Sequence, residues 1–285
     1  MKIKEISDNL KTNGVISINN LLDESSTNLT KNFLGQNYKG SRESYFPVFP
    51  SQYLAKILKL DFAKVRKSLI LKKIAKKLNF KEIAEGVFNH EAELQMIDSY
   101  YSEKSEKNII SWHNDIGYNN SNNQSELVNK FNFYETTKAS IYGQKTSVSP
   151  RGIKFFIYLT DVQSGNGALA VIPGSQSIVR GLTTLILEKK IDLKPYWKLE
   201  DLRRLILNNK NQKILVERLG KPLIEKFLES SKFIDNDIQD TDSFDYQMNA
   251  GSVVIFDEFC VHRGSAPKKN SRVVLRFIYR KKINN

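Results

Sequence analysis

Apolar residues recur at helical spacing over roughly residues 1 to 90, interrupted by the strand-like "GVISI" and a loop, "GSRESYFPVFPSQ". Near residue 93 the rhythm changes. "ELQMIDSYY", "IISWHND", "IKFFIYLTDV" and "ALAVIP" read as strands separated by turn residues. Helical periodicity returns over 177 to 245, notably in "KLEDLRRLILNN" and "QKILVERLGKPLIEKFLES", before "GSVVIFDEFCVHRG" and "RVVLRFIYR" close the chain as strands. Strand material on both sides of a helical stretch predicts one domain over 1–285: a helical part at 1–92, a β core from 93–176 and 246–285, and a helical insertion at 177–245. The expected fold is mainly β with surrounding helices.

Composition does not divide the chain further. With 285 residues, 40% apolar and 26% charged, it has the make-up of a folded globular protein. It lacks both a continuous apolar run long enough to span a membrane and the apolar core of a signal peptide, so a cytoplasmic protein is expected. The single cysteine, Cys260, excludes an internal disulfide and a multi-cysteine zinc site, which leaves His, Asp and Glu to bind any metal.

The net charge of +13 is concentrated in residues 55 to 81, which carry ten Lys or Arg and one acid, Asp61. Such a run can meet nucleic acid or an anionic surface. Ile57, Leu58, Leu60, Val65, Leu69, Ile70, Ile74 and Leu78 recur within it at helical spacing, so its lysines are expected on the solvated face of one or two amphipathic helices. The "GNGALA" at 165 to 170 is half of a dinucleotide fingerprint, but a β-like "ALAVIPG" follows where that fingerprint needs a helix. It is read as a hairpin turn, and a Rossmann domain is rejected.

"SWHND" carries the candidate chemistry. On an extended strand, His113 and Asp115 project from one face, and "EFCVHRG" supplies His262 from a strand distant in sequence that a barrel can bring alongside. Two His and one carboxylate form the facial triad that holds non-haem Fe(II). The competing reading of a lone His-x-Asp is a surface or hydrogen-bonded histidine.

The surrounding text decides between them. "SWHND", "FFIYLTDVQSGNGALAVIPGSQ" and "AGSVVIFDEFCVHRGSAPKKNSRVVLRF", in that order, resemble the phytanoyl-CoA dioxygenase family of Fe(II)- and 2-oxoglutarate-dependent oxygenases. The resemblance implies a double-stranded β-helix, a jelly-roll of the cupin type, with Fe(II), 2-oxoglutarate and O2 as cofactors. It carries the metal ligands onto His113, Asp115 and His262. Arg272 matches the arginine that clamps the distal carboxylate of 2-oxoglutarate, a task suited to a two-pronged guanidinium, and Arg276 on the same strand face is the fallback. Ser111, Gln95 and Phe156 are further co-substrate candidates, Phe156 as an aromatic wall, with plain packing or surface roles as the alternative. Gln176 stands where the family's "PGSH" has a histidine that is not a ligand, and His90 is expected to be structural or exposed.

Asp115 bears on the reaction, because halogenating relatives lack that carboxylate. Hydroxylation or a related oxidation of a small organic molecule is expected, with succinate and CO2 released. Residues 116 to 152 and 177 to 245 exceed what a barrel needs and are expected to act as lids. Tyr118, Phe131, Phe133, Tyr134 and Tyr142, with Lys145 and Arg151, suit an anionic substrate. The other readings are a nucleic-acid-directed oxygenase or binding protein, and a non-catalytic barrel. No membrane partner is expected.

Overall fold

The structure, a computed structural model, describes residues 2–34, 42–46, 61–105, 110–117, 150–238 and 241–282. Its strands form two antiparallel sheets. The major sheet runs β1 (Val15–Ile18), β8 (Val253–Asp257), β5 (Gly152–Tyr158), β10 (Arg272–Lys281), β3 (Ala92–Ser102) and β2 (Arg42–Tyr45). The minor sheet runs β4 (Ile110–His113), β9 (His262–Gly264), β6 (Leu169–Val171) and β7 (Asp245–Tyr246). From β3 onward the chain passes back and forth between the sheets, which is the winding of a double-stranded β-helix.

Side-chain alternation sorts the strand residues. On β5 and β10, Ile153, Phe155, Ile157, Val273, Leu275, Phe277 and Tyr279 face the N-terminal helices in one apolar cluster. Phe156, Tyr158 and Val274 belong to a second cluster inside the barrel. The N-terminal helices are α1 (Ile3–Asn13), α2 (Glu24–Leu34), α3 (Phe62–Lys77) and α4 (Phe80–Phe88). Phe80 of α4 docks on the major sheet, with ring centroids 4.2 Å from Phe155 and 5.5 Å from Phe277.

The 177–245 stretch contains most of α5 (Ser175–Leu187), with α6 (Leu199–Leu207), α7 (Asn209–Leu219) and α8 (Lys221–Ser230). These helices bury Leu182, Leu199, Leu202, Ile206, Leu215 and Ile224 together with Trp112, Ile172, Phe259 and Val261 from the minor-sheet side. The stretch expected to be a lid is therefore in the main a packed layer that buttresses the sheet. Nearly all of the other expected lid, including Tyr118, Phe131, Phe133, Tyr134, Tyr142 and Lys145, lies outside the described residues.

Local expectations change in four places. The loop "GSRESYFPVFPSQ" contains β2, whose Arg42–Tyr45 pair with β3. The "QKILVERLGKPLIEKFLES" pattern is two helices, because Gly220 adopts φ 87 and Pro222 follows as a helix start. The "GNG" turn, with Gly165 and Gly167 at positive φ, joins β5 of one sheet to β6 of the other, so it is not a hairpin between paired strands. A strand follows it, as expected. In the basic segment α3 turns Ser68, Leu71 and Ala75 inward while Leu69 stays 47% exposed, and Arg66, Lys73, Lys76 and Lys77 are exposed as expected. Residues 57, 58 and 60 of the predicted apolar face lie outside the described residues.

Candidate metal and co-substrate site

His113 ends β4 and His262 opens β9, and the two are direct register partners. Asp115 follows two residues later. One ligand atom from each of the three lies within 4.8 Å of the others. The imidazole centroids are 4.3 Å apart, and His262 Nε2 is 3.4 Å from Asp115 Oδ2.

Backbone carbonyls orient both rings. His113 Nδ1 lies 2.7 Å from the Ser111 carbonyl oxygen and His262 Nδ1 lies 2.9 Å from that of Cys260. A carbonyl only accepts, so each neutral ring carries its proton on Nδ1 and presents the Nε2 lone pair to the cluster. Burial lowers the pKa of both imidazoles, that of His262 to about 3. Burial alone would raise that of Asp115, but the charges around it, Lys154 foremost, hold it below the usual carboxylate range. Two neutral nitrogens and one carboxylate are the donor set that suits Fe(II).

Three supporting residues were not singled out in the sequence. Asn114, fully buried between the two candidate ligands of "HND", donates through Nδ2 to the carbonyls of Tyr196 and Trp197 and accepts at Oδ1 from the N–H groups of Ile116 and Gly117. It ties the Asp115 turn to the 196–197 connection. Trp197 also lies 4.8 Å from the His113 ring. Asn114→Ala is expected to weaken Co(II) binding by roughly 10–100-fold, the usual effect of losing an orienting partner, as measured by metal titration of the folded variant. The third residue is Lys154 on β5, 4% exposed, with Nζ 2.5 Å from Asp115 Oδ2.

The two candidate arginines on β10 differ in their partners. Arg276 donates through Nε and Nη2 to the two oxygens of buried Asp98, at 2.9 and 2.7 Å. Burial opposes its charge, yet the Asp98 bonds raise its pKa above the ordinary value. Arg272 donates to the Gly167 carbonyl and, at 3.4 Å, to Ser102 Oγ, its buried Nε lacks a partner, and no described acid pairs with it. Burial lowers its pKa. Arg276 already has a carboxylate, whereas Arg272 is an enclosed cation without one.

The remaining candidates divide. Phe156 lies within the barrel, its ring centroid 6.4 Å from Tyr100 and 5.2 Å from Phe256. Ser111 is exposed, and its recorded part in the site is the carbonyl that orients His113. Gln95 takes the surface alternative: it is exposed and donates to Glu93, where the β3–β10 register shifts and ordinary alternation fails. Gln176 is buried and donates to the Thr12 carbonyl, and His90 is exposed as expected.

A double-stranded β-helix that brings a His-x-Asp and a distant His to one point offers the donor set of a non-haem Fe(II) enzyme. The sequence profile described as "Phytanoyl-CoA dioxygenase (PhyH)" matches residues 11–272, and the chain belongs to that family of Fe(II)- and 2-oxoglutarate-dependent enzymes. Fe(II), 2-oxoglutarate and O2 are accordingly its cofactors. No curated protein matches the chain in sequence. Among solved structures, HygX from Streptomyces hygroscopicus with iron bound is similar at 12% identity and a TM-score of 0.55, covering 98% of this chain and 87% of that one. HygX with nickel and 2-oxoglutarate bound gives 12% identity and a TM-score of 0.53 over the same shares. These likenesses show the fold. No helix among the described residues is long and apolar enough to cross a membrane.

Proposed function

We propose that this protein oxidises a C–H bond of a small organic molecule, most simply by hydroxylation, while 2-oxoglutarate is converted to succinate and CO2. The observation that carries the reading is the convergence of His113, Asp115 and His262 within 4.8 Å. The carboxylate of Asp115 favours oxygen insertion over halogenation, since it fills the position a halide would need.

When bound, Fe(II) with 2-oxoglutarate and O2 supplies the oxidant for an unactivated C–H bond. The chain's own residues bind, orient and shield. His113 and His262 offer fixed Nε2 donors, and Asp115 adds one negative charge. Arg272 is the clamp for the distal carboxylate, because an enclosed guanidinium without an acid is best stabilised by an incoming one. Phe156, Phe256 and Tyr100 supply aromatic walls that keep water from the co-substrate. Ser111 contributes through its carbonyl, while the exposed Gln95 carries no role in this reading.

Two arginines near the Asp115 turn support an anionic substrate. Arg151 and Arg280 stand near one buried acid, Glu258, whose carbonyl accepts from the Asp115 N–H at 3.3 Å. Arg151→Ala is expected to raise the apparent substrate constant while leaving that of 2-oxoglutarate nearly unchanged, as steady-state kinetics would read. The assay for the reaction itself is aerobic incubation with Fe(II), ascorbate, 2-oxoglutarate and a metabolite pool. Succinate release and a product heavier by about 16 mass units, one inserted oxygen, are expected. Chelation of the metal should abolish both. Succinate release that persists without metal would remove the reading.

A further inference from the structure

Lys154 is a buried cation that neither the family's ligand set nor the clamp explains. Its Nζ is 2.5 Å from Asp115 Oδ2, and the same oxygen is 3.4 Å from His262 Nε2. The ammonium therefore bonds the carboxylate oxygen that faces the ligand cluster. A divalent ion held by His113, Asp115 and His262 competes for that oxygen, and two cations at bonding distance from one oxygen repel each other.

Among the described residues, the other buried acids near Lys154 already hold arginines: Asp98 is bonded to Arg42 and Arg276, and Glu258 to Arg280. The Lys154 Nζ lies 5.7 Å from the centre of the Phe256 ring, so an ammonium released from Asp115 stays against an apolar wall and needs a new anion. Of the two carboxylates of 2-oxoglutarate, Arg272 takes one.

Resting on the metal and co-substrate assignments above, we infer that Lys154 exchanges partners during assembly of the site. In the metal-free protein it is a resident counter-ion that holds Asp115 ionised and oriented. On metal loading it yields that oxygen and pairs with the carboxylate that 2-oxoglutarate brings beside the metal. One side chain thereby lowers affinity for metal alone and raises affinity for the co-substrate afterwards, which favours the complete complex over metal bound alone. Lys154 is on this reading a positioning residue.

The test uses the full chain and the variants Lys154→Met, Lys154→Gln and Lys154→Arg, with melting curves to establish folding. Ni(II) is titrated without 2-oxoglutarate, read by quenching of Trp197, whose ring lies 4.8 Å from that of His113. The Ni(II)-loaded proteins are then titrated calorimetrically with 2-oxoglutarate. The Met and Gln variants should bind Ni(II) about tenfold more tightly and 2-oxoglutarate about tenfold more weakly, one ion pair's worth in each direction. Arg should stay near wild type in both. A purely structural lysine would not give opposite signs. Unchanged or weaker Ni(II) binding in both neutral variants overturns the exchange, as does unchanged 2-oxoglutarate binding. If wild type binds no Ni(II), or His262→Ala binds it equally well, the metal assignment itself fails, a result separable from failure at Lys154.

Discussion

Alanine at His262 is expected to abolish 2-oxoglutarate turnover and leave the fold in place. The change removes one of two neutral nitrogen donors, and His113 with Asp115 alone is a weak site for a divalent ion. His113→Ala should behave in the same way. Both imidazoles are buried at a cost to their charged forms, so neither is needed as a charge in the folded state. Asp115→Ala should also lose turnover, but for a mixed reason. It leaves the Lys154 ammonium buried without its acid, which costs on the order of 3 kcal/mol of stability. The histidine variants are thus the clean probes of metal binding. Succinate quantitation with a melting curve on each variant reads both effects, and full activity in either histidine variant would remove the triad assignment.

The second large effect is expected at Arg272. Arg272→Lys keeps a positive charge and loses the two-pronged geometry, so 2-oxoglutarate should bind more weakly by about 1.5–3 kcal/mol, the scale of a charged hydrogen bond. Arg276→Lys should spare the co-substrate and lower the melting temperature, because it breaks the paired bonds to Asp98 inside the barrel. Equilibrium titration of metal-loaded protein separates the two. Weaker 2-oxoglutarate binding in the Arg276 variant alone would mean that the clamp is Arg276.

Much of this site was legible because its chemistry is written in short, local patterns. His-x-Asp on a strand fixes a shared face, and β-alternation put Arg272 and Arg276 on one side of the last strand before either was located. Choosing between them needed Asp98, an acid in "QMIDSYY" that periodicity reads as one more strand residue. Lys154 was missed for a similar reason. In "GIKFFIYL" a lysine reads as the solvated side of a strand, and nothing local says that this face lines a barrel interior. Gln95 was left between a co-substrate and a surface role, because the register shift that puts it on the surface cannot be read from alternation. Asn114 was visible inside "SWHND", but two of its four hydrogen bonds depend on the Tyr196 and Trp197 carbonyls arriving from the helical insertion. The strand order was legible only through the family resemblance, since composition and periodicity do not say which strands pair.

The most direct test is a crystal structure of the protein loaded anaerobically with Ni(II) and 2-oxoglutarate, with the metal located by anomalous scattering. The expected result is one strong peak bonded to His113 Nε2, His262 Nε2 and a carboxylate oxygen of Asp115, with the distal carboxylate of 2-oxoglutarate paired to Arg272. A metal held elsewhere, or one bound without either histidine, would contradict the assignment of this barrel as a 2-oxoglutarate-dependent oxygenase site.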